Sequence, residues 1–186
     1  MSKKIAVIVG SLRKESINLK MAKVLISLAP ESIKPELIVI GDLPLYNQEL
    51  DEEGNIPAAW TRFREQMKLC QGVLFVTPEY NRSVPGALKN AIDVGSRPYG
   101  QSIWKGKPGA VISVSPGAVG GFGANHHLRQ SLVFLDVPTL QQPEAYIGQA
   151  GNIFNDKGEV SNEDTRKFLR QFIETYAHWV ETNSPA

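Results

Sequence analysis

The chain has 186 residues, and its 20 Lys and Arg nearly balance 19 Asp and Glu to give a formal net charge of +1. The absence of a basic run argues against a nucleic-acid partner, and no apolar stretch approaches the roughly 18–20 residues of a membrane span. No signal peptide is evident, and the single cysteine, Cys70, excludes an intrachain disulfide. We therefore expect one cytoplasmic domain covering residues 1–186.

Apolar runs alternate with segments of helical periodicity along the chain. In order, they predict a strand at 5–9, a helix at 19–28, a strand at 36–40, a helix through 60–70, a strand at 72–77, a helix from 87 to 93, a strand at 110–114, a helix at 126–134, a short strand at 137–140 and a helix at 168–180, preceded by a capping box at 161–164. The strands are apolar throughout, which is typical of a parallel sheet covered on both faces. The predicted fold is α/β, a three-layer sandwich whose five-stranded sheet has the flavodoxin-like order 2-1-3-4-5.

Loop 1 (residues 10–18) joins the first strand to the first helix and is rich in small polar residues. Its hydroxyls, its guanidinium and its backbone N–H groups lie beside the positive end of a helix, which favours a bound anion such as a phosphate group. It lacks both the Gly-Lys-Ser/Thr of a P-loop and the later glycines of the dinucleotide fingerprint. The alternative is a plain turn in which Ser16 or Asn18 only caps the helix.

Loop 3 (residues 78–86) follows the third strand. In the predicted order the direction in which successive strands are added to the sheet reverses between strands 1 and 3, and ligands bind at this switch point beyond the carboxyl ends of the strands. The rigid Pro78, the aromatic Tyr80 and exposed N–H donors suit a flat heterocycle such as an isoalloxazine ring. Loop 4 (residues 115–124) is rich in glycine and allows close approach from a third side. The alternative is an ordinary connection with Tyr80 packed on the surface.

Two motifs, in order and after the right strands, resemble the NAD(P)H-dependent FMN reductase family. They are Gly10-Ser11-Leu12-Arg13-x-x-Ser16-x-Asn18 and Thr77-Pro78-Glu79-Tyr80-Asn81-x-Ser83-x-Pro85-Gly86-x-Leu88-Lys89-Asn90-Ala91-Ile92-Asp93. The later segments 120–121, 127–130 and 134–136 resemble the family's soluble quinone and chromate reductase branch. The resemblance extends over roughly residues 5–180.

The resemblance implies a flavodoxin-like fold that binds FMN noncovalently, accepts electrons from NADPH or NADH, and assembles as a homodimer or homotetramer. It implies that the FMN phosphate is held by Ser11, Arg13, Ser16, Ile17 and Asn18. It places along the ring Pro78, Glu79, Tyr80 and Asn81, with Ser115 and Gly117 approaching from loop 4. The implied reaction is a ping-pong transfer from reduced nicotinamide to a quinone, with oxyanions such as chromate as a second class of acceptor. The flavin carries this chemistry, so no catalytic side chain is assigned.

Arg82 stands where members of that branch can carry an aromatic residue. Our hypothesis is that Arg82 attracts anions, either the phosphates of the nicotinamide cofactor or an oxyanion acceptor. The alternative is a surface ion pair of little energetic weight. The adjacent His126 and His127 would point apart on a helix, so no metal site is assigned.

Two other functions suit the same predicted fold. One is a flavodoxin-like electron carrier without its own nicotinamide turnover, although such carriers are usually strongly acidic and this chain is near neutral. The other is an interaction module that binds no nucleotide. Fold alone does not separate these from a reductase.

Overall fold

A computed structural model describes residues 2–52, 54–155 and 157–184 and contains five strands and five α-helices. The strands are β1 Lys3–Val9, β2 Ile33–Ile38, β3 Gly72–Thr77, β4 Gly109–Val114 and β5 Ala145–Ile147. The helices are α1 Ile17–Leu28, α2 Ala58–Lys68, α3 Gly86–Gly95, α4 Phe122–Phe134 and α5 Glu163–Asn183. Short 3₁₀ helices occupy Gln48–Asp51 and Ala150–Asn152.

The five strands form one parallel sheet in the order β2-β1-β3-β4-β5, which confirms the predicted flavodoxin-like topology. The first and third strands are neighbours, and Val9 lies opposite Val76 at their carboxyl ends. The loops that follow β1 and β3 therefore start side by side at the same edge of the sheet.

Two apolar layers cover the faces of the sheet. On one face, α1 and α5 pack against Ile5 and Val7 of β1. On the other face, α2, α3 and α4 pack against Ala6 and Ile8 of the same strand. Successive residues of β1 thus point to opposite layers, and the side chains on both faces of the strand are fully buried from Ile5 to Ile8. This explains why the strand is apolar throughout. No helix in the described ranges is long and apolar enough to cross a membrane.

The fifth strand was predicted at 137–140, and this position is wrong because β5 is formed by Ala145–Ile147. The segment 137–140 forms backbone hydrogen bonds with the sheet only at the start of β4. There the N–H of Gly109 donates to Pro138 O and the N–H of Leu140 donates to Gly109 O. Pro138 has no N–H to continue a ladder. The chain then pairs again with β4 from Ile112 onwards.

Several elements begin earlier than predicted, and two of them show why. β2 begins at Ile33 rather than residue 36, and it includes Pro35, which an edge strand tolerates because one side of its backbone needs no partner. The last helix begins at Glu163, and the residue that caps it is Asn162, whose side chain accepts from the Thr165 N–H at 2.8 Å.

Candidate functional site

Gly10 marks the point where loops 1 and 3 meet. Its N–H donates to Val76 O at 2.9 Å and so extends the pairing of β1 with β3. A Cβ at this position would lie 3.2 Å from atoms of Leu88, Pro78 and Thr77, a distance at which a side chain crowds its neighbours. The absence of a side chain at Gly10 lets the two loops approach one another.

Ser16 ends loop 1 as the cap of α1. Ser16 is 3 % exposed, and its Oγ accepts from the Leu19 N–H at 3.2 Å, as the capping interpretation predicts. The hydroxyl hydrogen remains for a second partner, so capping and anion binding are compatible. Arg13 is exposed and has no ion-pair partner within residues 2–52, 54–155 and 157–184.

Asn18 joins the start of α1 to the carboxyl end of β4. Its side chain is 2 % exposed, and Nδ2 donates to Val114 O at 3.2 Å. The carboxamide oxygen is buried and has no hydrogen-bond partner among the described residues. An unpaired buried oxygen costs about 1–3 kcal/mol, so this position favours a bound donor. Ser11 and Ile17, the other two residues predicted near the phosphate in this part of the chain, are half-buried.

Loop 3 contains a tight turn that sequence reasoning missed. The backbones of Tyr80 and Ser83 exchange two hydrogen bonds at 3.1 and 3.0 Å. Between them Asn81 and Arg82 adopt left-handed conformations with φ of 51° and 63°. Such a turn suits Asn but is unusual for Arg, and strained backbone of this kind concentrates at ligand sites. The turn uses the Tyr80 N–H, whereas the N–H groups of Glu79 and Asn81 on either side of it have no partner among the described residues.

The side chain of Glu79 lies at the start of α4. One carboxylate oxygen accepts from the Ala124 N–H at 3.0 Å, and the other accepts from Arg82 Nη1 at 3.2 Å. The glutamate side chain is only 12 % exposed, whereas that of Arg82 is 78 % exposed. Glu79 therefore faces its own structural partners with its side chain, and only its backbone is left for a ligand.

Loop 4 is held against the end of β5. The Ser115 N–H donates to Ile147 O at 2.9 Å, and the Ser115 hydroxyl accepts from the Gly117 N–H at 3.1 Å. Any side chain at Gly148 would lie within 2.4 Å of Ala118 O, so close packing fixes this loop. Loop 4 reaches loop 1 through the bond between Asn18 and Val114, directly before Ser115.

A pocket of about 400 Å³ lies between loops 1 and 3, within the roughly 300–1,000 Å³ typical of small-molecule sites. It is lined by Gly10, Leu12, Arg13, Tyr80, Pro85, Gly86 and Ala87. Larger grooves of about 540 and 740 Å³ lie beside α1 and between residues 46–52 and 97–99, and neither is lined by both loops. The pocket of about 400 Å³ is therefore the one at the switch point of the sheet, between β1 and β3.

Of the residues singled out by sequence, Arg13 and Tyr80 line this pocket directly. The other predicted cofactor-binding residues do not line it but stand in loop 1, the start of α1, loop 3 and loop 4: Ser11, Ser16, Ile17, Asn18, Pro78, Glu79, Asn81, Ser115 and Gly117. Sequence reasoning did not assign the lining residues Leu12, Pro85 and Ala87. Their signal was adjacency, because each stands within loop 1 or at the start of α3.

The two adjacent histidines point to different partners. His126 Nε2 lies 2.9 Å from the Tyr146 hydroxyl, and His127 Nδ1 lies 3.0 Å from the Ser83 hydroxyl. Burial, reinforced by Glu144, raises the pKa of Tyr146 to about 12, so this phenol stays protonated at neutral pH. Within the described ranges no three His, Cys, Asp or Glu side chains are grouped to hold a metal ion.

Comparisons with known proteins place these features in context. Residues 3–152 match the NADPH-dependent FMN reductase family. A quinone reductase of Pseudomonas putida is 62% identical over 179 residues, 96% of this chain and 95% of that protein. A 2-hydroxy-1,4-benzoquinone reductase of Burkholderia sp is 48% identical over 97% of both chains. The structure of a flavoenzyme NAD(P)H:(acceptor) oxidoreductase from Paracoccus denitrificans has a TM-score of 0.91 and 43% identity, covering 98% of this chain and 100% of its own.

Proposed function

The chain belongs to the NADPH-dependent FMN reductase family, and we propose that it reduces quinones with electrons from NADPH or NADH through FMN held between loops 1 and 3. It is an FMN-dependent NAD(P)H oxidoreductase. The observation that carries the proposal is the pocket between loops 1 and 3, which Arg13 and Tyr80 line and which lies beside the loop that ends in the capped N-terminus of α1. The high identity to named quinone reductases supports quinones as acceptors.

The α1 end of the pocket fits the phosphate of FMN. Ser16 has a hydroxyl hydrogen to donate, Arg13 offers a charged fork, and the first N–H groups of α1, starting at Ile17, have no partner within their own helix. In this proposal Ser11 adds a second hydroxyl, and the Asn18 oxygen accepts from a donor group of the ligand. The positive end of the α1 dipole favours the phosphate charge.

Loops 3 and 4 fit the ring of FMN. Pro78 and Tyr80 supply a rigid wall, and the unpartnered N–H groups of Glu79 and Asn81 can donate to polar ring atoms. We place Ser115 and Gly117 on the side of loop 4. FMN held there would supply the redox chemistry, by which a hydride is taken from reduced nicotinamide and electrons pass to an acceptor. The chain binds and orients the reactants, and backbone donors near the ring stabilise negative charge there.

Arg82 is proposed as a contact for anionic reactants, including the nicotinamide cofactor's phosphates and oxyanion acceptors such as chromate. Its side chain lies at the tip of the turn and is 78 % exposed, and its contact with Glu79 uses only Nη1 of the guanidinium. An Arg82→Ala variant should raise KM for the anionic reactants while leaving kcat with a neutral quinone unchanged. Equal loss for neutral and anionic acceptors would contradict this role.

We also propose a cytoplasmic homodimer or homotetramer built from one domain covering residues 1–186. Exposed apolar side chains on α4 support association, because Val133 and Phe134 are 79 % and 83 % exposed. Light scattering of the purified protein tests the assembly, and a monomeric mass at micromolar concentration would contradict it.

The test of the proposed reaction is an anaerobic titration of the purified protein in two steps. We expect yellow protein whose flavin absorbance bleaches on addition of NADPH or NADH and returns on addition of a quinone. Flavin that stays oxidised under both nicotinamides would instead indicate an electron carrier fed by another protein. Colourless protein that does not bind added FMN would overturn the assignment of the pocket.

A further inference from the structure

Glu79 makes contacts that neither the pocket nor the proposed reaction explains. Its carboxylate lies at the start of α4 and not among the residues that line the pocket. One oxygen accepts from the Ala124 N–H at 3.0 Å, and the side chain is 12 % exposed. A carboxylate that is nearly buried needs hydrogen-bond partners, and Glu79 finds one on another element.

The partner is a helix that lacks a cap of its own. The residue before α4 is Gly121, in a left-handed conformation with φ of 76° and no side chain to accept from the first turn. Ala124 is the third residue of α4, and its N–H is one that a capping side chain normally satisfies. Glu79 supplies the missing acceptor from a different loop, and its negative charge is favourable at this end of the helix dipole.

Two glycines leave room for this contact. A Cβ on Gly123 would lie 2.9 Å from both Glu79 Oε2 and Arg82 O, and a Cβ on Gly121 would lie 3.6 Å from the Glu79 Cβ. A second bond, between His127 Nδ1 and the Ser83 hydroxyl at 3.0 Å, attaches the other end of the turn to α4. Loop 3 is therefore fixed to α4 at two points.

We propose that Glu79 is a positioning residue whose carboxylate fixes loop 3 to the start of α4 and thereby sets the spacing of loops 3 and 4, the two loops assigned to the flavin ring. This inference rests on the proposed function, because it assumes FMN in the pocket between loops 1 and 3. Loop 4 leads directly into α4, and the free N–H groups of Glu79 and Asn81 belong to loop 3. Joining the two loops before the ligand arrives reduces the ordering that binding requires.

The test compares how firmly variants of the full-length holoenzyme retain FMN, measured as flavin fluorescence released on dilution and ultrafiltration. Glu79→Ala should weaken FMN binding about tenfold or more, since it removes a charge-assisted hydrogen bond and lets loop 3 move. Glu79→Gln should stay within about threefold of the unmodified protein, because its amide oxygen still accepts from the Ala124 N–H. Asp93→Ala is the matched control, since it removes an exposed carboxylate that pairs with Lys89 on α3.

Gly123→Ala tests the same contact without altering the carboxylate. Alanine favours a helix, but its Cβ must displace Glu79 Oε2 or Arg82 O, so FMN should again be released more readily. Visible circular dichroism of the remaining bound flavin should change in this variant and in Glu79→Ala, but not in Glu79→Gln. Far-ultraviolet circular dichroism establishes that each variant is folded.

Equal FMN retention by Glu79→Ala, Gly123→Ala and the unmodified protein would overturn the positioning role. A loss in Glu79→Gln as large as in Glu79→Ala would also overturn it, because the hydrogen bond to α4 would then not be the cause. These outcomes differ from a failure of the proposed function, in which the unmodified protein itself would hold no FMN.

Discussion

Replacing Ser16 with alanine separates the structural role of this residue from its proposed role in binding phosphate. The Ser16 hydroxyl oxygen is already committed to the Leu19 N–H at 3.2 Å, and only its hydrogen is available to a ligand. Loss of a helix cap costs about 1 kcal/mol, which in a domain of this size lowers Tm by about 2–4 °C. Loss of a hydrogen bond to a charged phosphate costs about 1.5–3 kcal/mol more, equivalent to about ten- to a hundredfold in FMN affinity.

The two effects are measured separately. Urea denaturation without FMN reports the cap, and fluorescence titration with FMN reports the phosphate contact. Ser27→Ala is the matched control, since Ser27 is an exposed serine near the other end of α1 whose hydroxyl donates to Val24 O. We expect the control to keep its FMN affinity. If Ser16→Ala lowers stability but binds FMN as tightly as the unmodified protein, Ser16 is only a cap and the phosphate assignment at this residue is refuted.

Three further predictions concern burial and charge. Asp51→Ala should lower the free energy of unfolding, measured by urea denaturation, by about 3–5 kcal/mol because it leaves the buried Arg64 without its ion-pair partner. Lys89→Ala removes one partner of an exposed pair and should lower it by less than about 0.5 kcal/mol. Equal losses in the two variants would contradict the burial argument. Burial lowers the pKa of Lys107 in the folded protein below its ordinary value of 10.5. Between the folded and the unfolded pKa the unfolded chain therefore binds more protons, so the free energy of unfolding should increase as pH rises towards 10.5. Lys107→Met should lose that gain, and identical pH slopes for both proteins would refute it. Burial also raises the pKa of the Cys70 thiol, so a disulfide reagent should label it slowly until urea unfolds the chain, and rapid native labelling would contradict the structure.

The topology was predictable because the central strands β1, β3 and β4 are buried on both faces. In β1, Ile5 and Ile8 serve opposite layers, so the sequence shows a continuous apolar run without alternation. The fifth strand was misplaced because the segment 137–140 has the same apolar character but forms backbone hydrogen bonds with β4 only at Gly109, whereas Ala145–Ile147 pairs along β4. Pairing with β4, which composition does not reveal, decides which apolar segment becomes the strand.

The position of the candidate site was predictable, but its internal contacts were not. The two motifs follow neighbouring strands, so topology alone brings them together. The bonds from Asn18 to Val114 and from Glu79 to Ala124 join residues 96 and 45 positions apart, and no local pattern announces them. The left-handed Arg82 was also unexpected, because arginine is not favoured in such turns and the surrounding contacts impose the conformation.

The most direct test of the central claim is to locate FMN by its effect on backbone amide chemical shifts of the full-length protein. The account predicts that the largest changes on adding FMN occur at residues 11–18, 78–81 and 115–117, around the pocket at the carboxyl ends of β1 and β3. Changes centred instead on the groove beside α1, or on the groove between residues 46–52 and 97–99, would contradict it.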